Sequence, residues 1–176
     1  MNQLTIVRCT YEKHAQDILE IFNEAIANST ALYDYYPRSM GSMQSWFLNK
    51  EQGDYPVIGL EDGLGKLVAI ASYGTFRSWP AYKYSVEHSV YVHKDHRGKG
   101  LGSQIMQALI AEAKVREVHT ILAGIDSTNF GSIAMHERLG FKHVGTLPEV
   151  GFKFGRWLDL SFYQLLLETP ANPVDG

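Results

Sequence analysis

A chain of 176 residues, 45% hydrophobic and 20% charged, has the makeup of one ordinary folded domain and is short for two. Sixteen Lys and Arg against nineteen Asp and Glu leave a formal charge of −3, which argues against the basic footprint of a nucleic-acid binder. The one cysteine, Cys9, excludes an internal disulfide framework or a cysteine-rich zinc site, and no run approaches the roughly 18 apolar residues of a membrane span. The protein is expected to be cytoplasmic, with neither nucleic acid nor membrane as a partner.

Leu4 to Arg8 reads as a first strand. Thr10 can cap a helix reaching about Ala27, because Ile18, Phe22 and Ile26 recur at four-residue spacing. Asn28 to Arg38 mixes aromatic and polar residues with a proline and suits a loop over a surface cleft, and a short helix follows around Met43 to Asn49. Val57–Glu61 and Leu67–Thr75 read as a hairpin turning on Asp62-Gly63-Leu64-Gly65, with both glycines supplying positive φ. Past a loop with Trp79-Pro80, the strand Tyr84 to Val92 runs into a glycine-rich loop. From about Gly100 to Glu117 the stripe Leu101, Ile105, Leu109 and Ala113 predicts a helix. Thr120 to Ile125 is a strand, and Asn129 to Leu139 a helix that Gly140 closes. Lys142 to Leu147 and Leu158 to Leu167 read as the last strands, linked by a glycine- and aromatic-rich excursion, EVGFKFGRW. Residues 1–168 are expected to form one domain and 169–176 a loosely packed tail.

The segment VYVHKDHRGKGLG carries the strongest chemical signal. Gly98, Gly100 and Gly102 let the backbone turn tightly and aim several N–H groups at one anion, and the following helix adds its positive N-terminal end. A diphosphate fits such a loop. Gly102 is followed by Ser103-Gln104, so there is no P-loop, and the spacing G-x-G-x-G after an antiparallel hairpin is not the dinucleotide fingerprint.

Val90-Tyr91-Val92 followed by Arg97-x-x-Gly100-x-Gly102 resembles the cofactor loop of the GNAT superfamily of N-acetyltransferases. Asn129 and the helix ending RLGF (Arg138 to Phe141) extend the likeness. The blocks VEHSVYV, AGID, IAMHERLGF and GFKFGRWLDL are similar to the phosphinothricin and methionine sulfoximine acetyltransferase subgroup, which carries His where the wider superfamily has Tyr, here His136. The resemblance implies an α+β fold, a mixed and mostly antiparallel sheet with helices on both faces. It also implies acetyl-CoA as co-substrate, held by Val90, Tyr91, Val92, Arg97, Gly98, Lys99, Gly100, Leu101, Gly102, Ser103, Asn129 and Ser132. Asn129 equally suits a helix N-cap.

Acetyl transfer needs a neutral amine, a polarised carbonyl and a proton for the departing thiolate. Glu87 on the strand is suited to take the ammonium proton, directly or through water, or else to pair with a surface cation. His136 can give the proton or share a water with Glu87, and the resemblance implies that the two act together; Tyr91 is the rival donor. The N–H of Val92 is the candidate for polarising the carbonyl. His88, His93 and His96 lack further ligands, so no metal is expected. Arg77 among Tyr33, Phe76 and Tyr84 is suited to read a substrate carboxylate, or else is a solvated residue of its loop, with Lys153 expected near the same substrate and the aromatics around it packing or meeting a partner copy.

The resulting expectation is direct N-acetylation of a small amino-acid analogue, with a lean toward methionine sulfoximine or sulfone, by a homodimer. Cys9 on the first strand is remote from the cofactor motif, which disfavours an acetyl-cysteine route. Acetylation of a protein or peptide N-terminus and a non-catalytic acetyl-CoA sensor are the alternatives.

Overall fold

The computed structural model describes residues 4–176, in which strands and helices follow one another as β1-α1-α2-β2-β3-β4-α3-β5-α4-β6-β7. Seven strands form one mixed sheet in the order β1-β2-β3-β4-β5-β7-β6. They are β1 (Thr5–Arg8), β2 (Val57–Glu61), β3 (Leu67–Thr75), β4 (Ser85–Val92), β5 (Thr120–Asp126), β6 (Lys142–Lys153) and β7 (Arg156–Leu166). Four helices accompany them: α1 (Tyr11–Asn28), α2 (Met40–Gln52), α3 (Leu101–Val115) and α4 (Phe130–Arg138).

The chain divides into two compact units, the first running to Tyr73 and taking in Ser89–Leu109, the second comprising Gly74–His88 and Ile110–Gly176. In the first, α1 starts where the Thr10 side chain accepts from the Lys13 N–H. Its apolar stripe, Ile18, Ile21 and Phe22, packs with Met43 of α2 and Val57, Leu67 and Ile70 of the hairpin. β1 pairs with β2, and β2 with β3, antiparallel. The turn between β2 and β3 is built by Asp62, whose Oδ1 accepts from the N–H groups of Leu64 and Lys66. Gly65 takes a φ of +78° there and Gly63 does not, so the turn needs one left-handed residue where the sequence suggests two. Cys9 sits with its Sγ close to Gly59, and burial pushes its thiol up to about 12.

In the second unit, Ser85–Glu87 of β4 pair parallel with Thr120–Leu122 of β5, and β7 lies antiparallel between β5 and β6. The expected EVGFKFGRW excursion is instead strand: β6 and β7 run on to a two-residue turn at Phe154-Gly155, with φ of +52° and +73°. Two successive left-handed residues make the tight hairpin turn whose twist matches the strands. Phenylalanine is a rare occupant of that conformation, which hid the turn from a reading based on residue preference. The last residues touch this unit at two places: the Thr169 side chain donates to the Val118 carbonyl, and Val174 exchanges hydrogen bonds with the Tyr84 hydroxyl.

Candidate active site

In the first unit, β4 ends at Val92 and a 3₁₀ turn, Lys94–His96, leads into the glycine loop. Gly98 and Gly100 adopt φ of +74° and +77°, a backbone shape that costs an L-residue roughly 1–2 kcal/mol. Gln104 donates to the Gly100 carbonyl, so the N–H groups of Leu101, Gly102 and Ser103 are first-turn donors with no acceptor within α3. Exposed glycines beside such donors form a cradle that fits a pyrophosphate. The side chains contribute less than the sequence suggests. Arg97 donates from Nε to the Val92 carbonyl and its guanidinium pairs with Glu24, so it braces the loop. Lys99 donates to the Asp95 carbonyl at 3.2 Å. The Leu101 side chain is buried in the core, leaving only its main chain for a ligand. Tyr91 stands edge-on to Phe22, ring centroids 5.3 Å apart, Val90 and Val92 are half-buried, and Tyr33 is exposed.

In the second unit, Glu87 is half-buried and accepts no hydrogen bond from the described residues. Burial pushes its carboxyl above the usual carboxylate value, and the positive charge of Arg77 partly opposes the rise. Arg77 is exposed and stacks its guanidinium over Phe76 at 5.3 Å. Phe76 in turn meets Tyr82 and Phe162 edge-on, at 5.7 and 6.5 Å. An ionisable carboxyl, a cation and an aromatic wall therefore occur together, which is the chemistry that receives a zwitterionic amino acid.

The structure places three other expected residues differently. His136 accompanies His88 instead of Glu87: its Nε2 lies 2.9 Å from His88 Nε2, and its Nδ1 donates to the Ser132 carbonyl at 2.7 Å. A carbonyl only accepts, so Nδ1 carries the proton and Nε2 of a neutral His136 accepts from His88. Burial holds His136 below its ordinary value. Neighbouring strand positions point to opposite faces, so the pair stands across the sheet from Glu87, packed on Phe141. Tyr84 uses its hydroxyl on Val174. Lys153 is buried at the end of β6, its ammonium over the Phe154 ring, because β6 and β7 stay paired up to Lys153 and Arg156.

Asn129 caps α4, accepting from the Ser132 N–H at 3.2 Å, and keeps its side-chain amide donors for another partner. The turn that presents it is fixed by Asp126, a residue the sequence reading passed over. Its Oδ1 accepts from the N–H and hydroxyl of Thr128, each at 2.9 Å, and its Oδ2 pairs with Arg156 at 3.1 Å. The sequence offers His88 only as a metal ligand and does not single out Gly124. A histidine alternating with Glu87 and a glycine inside the strand AGID were the available signals.

The sequence profile of the Acetyltransferase (GNAT) family matches residues 16–141. The chain belongs to this family of acetyltransferases. It is 46% identical over 151 residues to an L-methionine sulfoximine/L-methionine sulfone acetyltransferase of Pseudomonas aeruginosa, covering 86% of this chain and 88% of that one. An L-amino acid N-acyltransferase of Escherichia coli is 41% identical over 156 residues, covering 89% and 90%. Among solved structures, a GNAT superfamily phosphinothricin acetyltransferase from Sinorhizobium meliloti in complex with acetyl-CoA superposes with a TM-score of 0.91 at 32% identity, over 97% and 92% of the two chains. The seven-stranded mixed sheet with four helices is thus the GNAT fold that the glycine loop led one to expect. No helix among the described residues is long and apolar enough to cross a membrane.

Proposed function

We propose that this GNAT enzyme transfers the acetyl group of acetyl-CoA directly to the α-amino group of a small amino-acid analogue of the methionine sulfoximine, methionine sulfone or phosphinothricin type. The observation that carries the reading is Glu87, a half-buried carboxyl with a raised affinity for protons and the positive charge of the stacked Arg77 guanidinium acting on it. The substrates in the names of the three relatives given above are amino acids or their analogues, each with a carboxylate and an amine to be read.

Acetyl-CoA supplies the acetyl group as an activated thioester. The main-chain N–H groups of Gly98 to Ser103 would hold its pyrophosphate, and Asn129, Ser132 and the main chain of Val90 to Val92 would bind the pantetheine arm. Arg77 orients the acceptor's carboxylate against Phe76. Glu87 takes the ammonium proton, directly or through one water, and frees the nitrogen lone pair. The N–H of Val92, five positions further along the same strand, steadies the negative charge that develops on the carbonyl oxygen. Tyr91 gives the proton to the departing thiolate, since both ring nitrogens of His136 are already engaged. Cys9, held as a neutral thiol by its burial, takes no part.

This reading treats residues 1–168 as one acetyltransferase domain with 169–176 as a tail, in a cytoplasmic protein. It pairs two copies through β6, a twelve-residue edge strand whose Val144, Leu147, Val150 and Phe152 are exposed. The test is release of free thiol from acetyl-CoA with methionine sulfoximine, methionine sulfone, phosphinothricin and a short peptide as acceptors. Turnover of the amino-acid analogues well above the peptide is expected, and the reverse order overturns the proposal.

A further inference from the structure

Strand β5 is buried along its length except at one position, Gly124. Two facts coincide there. Gly124 is the exposed residue of the strand, and a Cβ built on it would lie 3.0 Å from Oε1 of Glu87, 3.4 Å from Leu160 Cδ1 and 3.7 Å from Phe162 Cε1. The register explains the company: Gly124 stands directly opposite Phe162 on β7, and Glu87 opposite Leu122 on β5, so Gly124 is one same-face step along from the residue across from the carboxylate. No positive φ requires a glycine at this point, and a glycine weakens a strand interior relative to residues with side chains. What the missing side chain provides is room. A glycine within a strand commonly marks a place where something must come close to the backbone, and the group that comes close here is the carboxylate assigned as the base.

We propose that Gly124 is a positioning residue for acetyl transfer: its lack of a side chain seats the Glu87 carboxylate against β5 and keeps open the solvent path by which the acceptor's amine reaches it. Any β-carbon at this position moves the carboxylate by a few tenths of an ångström and shields one of its oxygens. The proposal rests on the assignment of Glu87 as the base, and it assigns to AGID a role in geometry and access instead of in core packing.

Replacement by alanine separates the two roles. Gly124→Ala should keep or raise the melting temperature, because alanine suits a strand better than glycine, whereas a packing role predicts a loss. With methionine sulfone as acceptor, kcat/KM should fall about tenfold, since sub-ångström displacement of a catalytic group carries costs of that order, while the Kd for acetyl-CoA stays within twofold of the parent protein. Gly124→Val should lower kcat/KM further. The decisive measurement needs no turnover: the side-chain carboxyl carbon of Glu87, followed by NMR against pH in the free protein, should titrate at higher pH in Gly124→Ala, because the added methyl removes water from one oxygen. An unshifted titration overturns the inference. A shifted titration with kcat/KM unchanged overturns the inference as well, whereas a parent protein that acetylates phosphinothricin but not methionine sulfone overturns only the choice of acceptor.

Discussion

Glu87 combines two properties that pull in opposite directions. Burial raises its proton affinity above the ordinary value of 4.5, so the native state keeps a proton that the unfolded chain has already released. Over that window stability falls as pH rises, and the carboxylate, once ionised, burdens the fold while serving the reaction. Glu87→Gln should therefore lower kcat by ~10² to 10⁴, the usual worth of a general base, with an unchanged Kd for acetyl-CoA and a melting temperature at or slightly above that of the parent protein. Calorimetry with acetyl-CoA and a thermal scan check both parts, and full turnover in the variant removes Glu87 from the mechanism. A second expectation concerns the pH profile. The acid limb of kcat/KM should rise with pH through an apparent value above 4.5 and should be lost in Glu87→Gln.

At the level of elements, the loop before α3 and the contact between α4 and β4 carry separate tasks. The loop recognises its ligand through the main chain, so Gly100→Ala, at a φ of +77°, should weaken acetyl-CoA binding by about tenfold, the equivalent of the 1–2 kcal/mol that left-handed backbone costs an L-residue. It should spare kcat at saturating acetyl-CoA, and binding unchanged by the substitution would mean that the loop does not hold the nucleotide. The contact of α4 with β4 is a histidine pair. Burial lowers His136 below its ordinary 6.5, so as pH falls through 6.5 the unfolded chain takes up a proton before the native one, and stability is lost on acidification. Urea unfolding at pH 7 and pH 5 should show this loss in the parent protein and less of it in His136→Asn. Legibility in the sequence follows the same division. The bounds Val57–Glu61 and Leu67–Thr75 and the caps at Thr10 and Asn129 are local, written in spacing and turn residues, and they appear in the structure as read, while of the three loop glycines Gly102 lies inside α3. The partner of His136 depends on β4 and α4 meeting 48 positions apart, which no local pattern reports. The same holds for Gly124, for Asp126 with Arg156, and for Lys153, whose burial follows from a hairpin with an unusual turn residue.

Across the whole molecule, the chain passes between the two compact units at three places, one of them between His88 and Ser89. β4 is therefore shared: Glu87 belongs to one unit, and Val90 to Val92 with the glycine loop belong to the other. The outer strand β6 poses a different question, because a long exposed edge with apolar side chains invites pairing. Analytical ultracentrifugation should give about twice the 19.8 kDa chain mass, and Val150→Lys together with Phe152→Glu should shift the protein toward the single chain. A parent protein that sediments as one chain at micromolar concentration removes the dimer.

Since its lone sulfhydryl stays protonated and slow to react, the enzyme should be nearly silent toward chromogenic thiol reagents at neutral pH. Colour developing in a reaction mixture would then count coenzyme A molecules released, one per acetyl group moved. Turnover could be followed continuously for any candidate amine, without removing the protein or correcting for it.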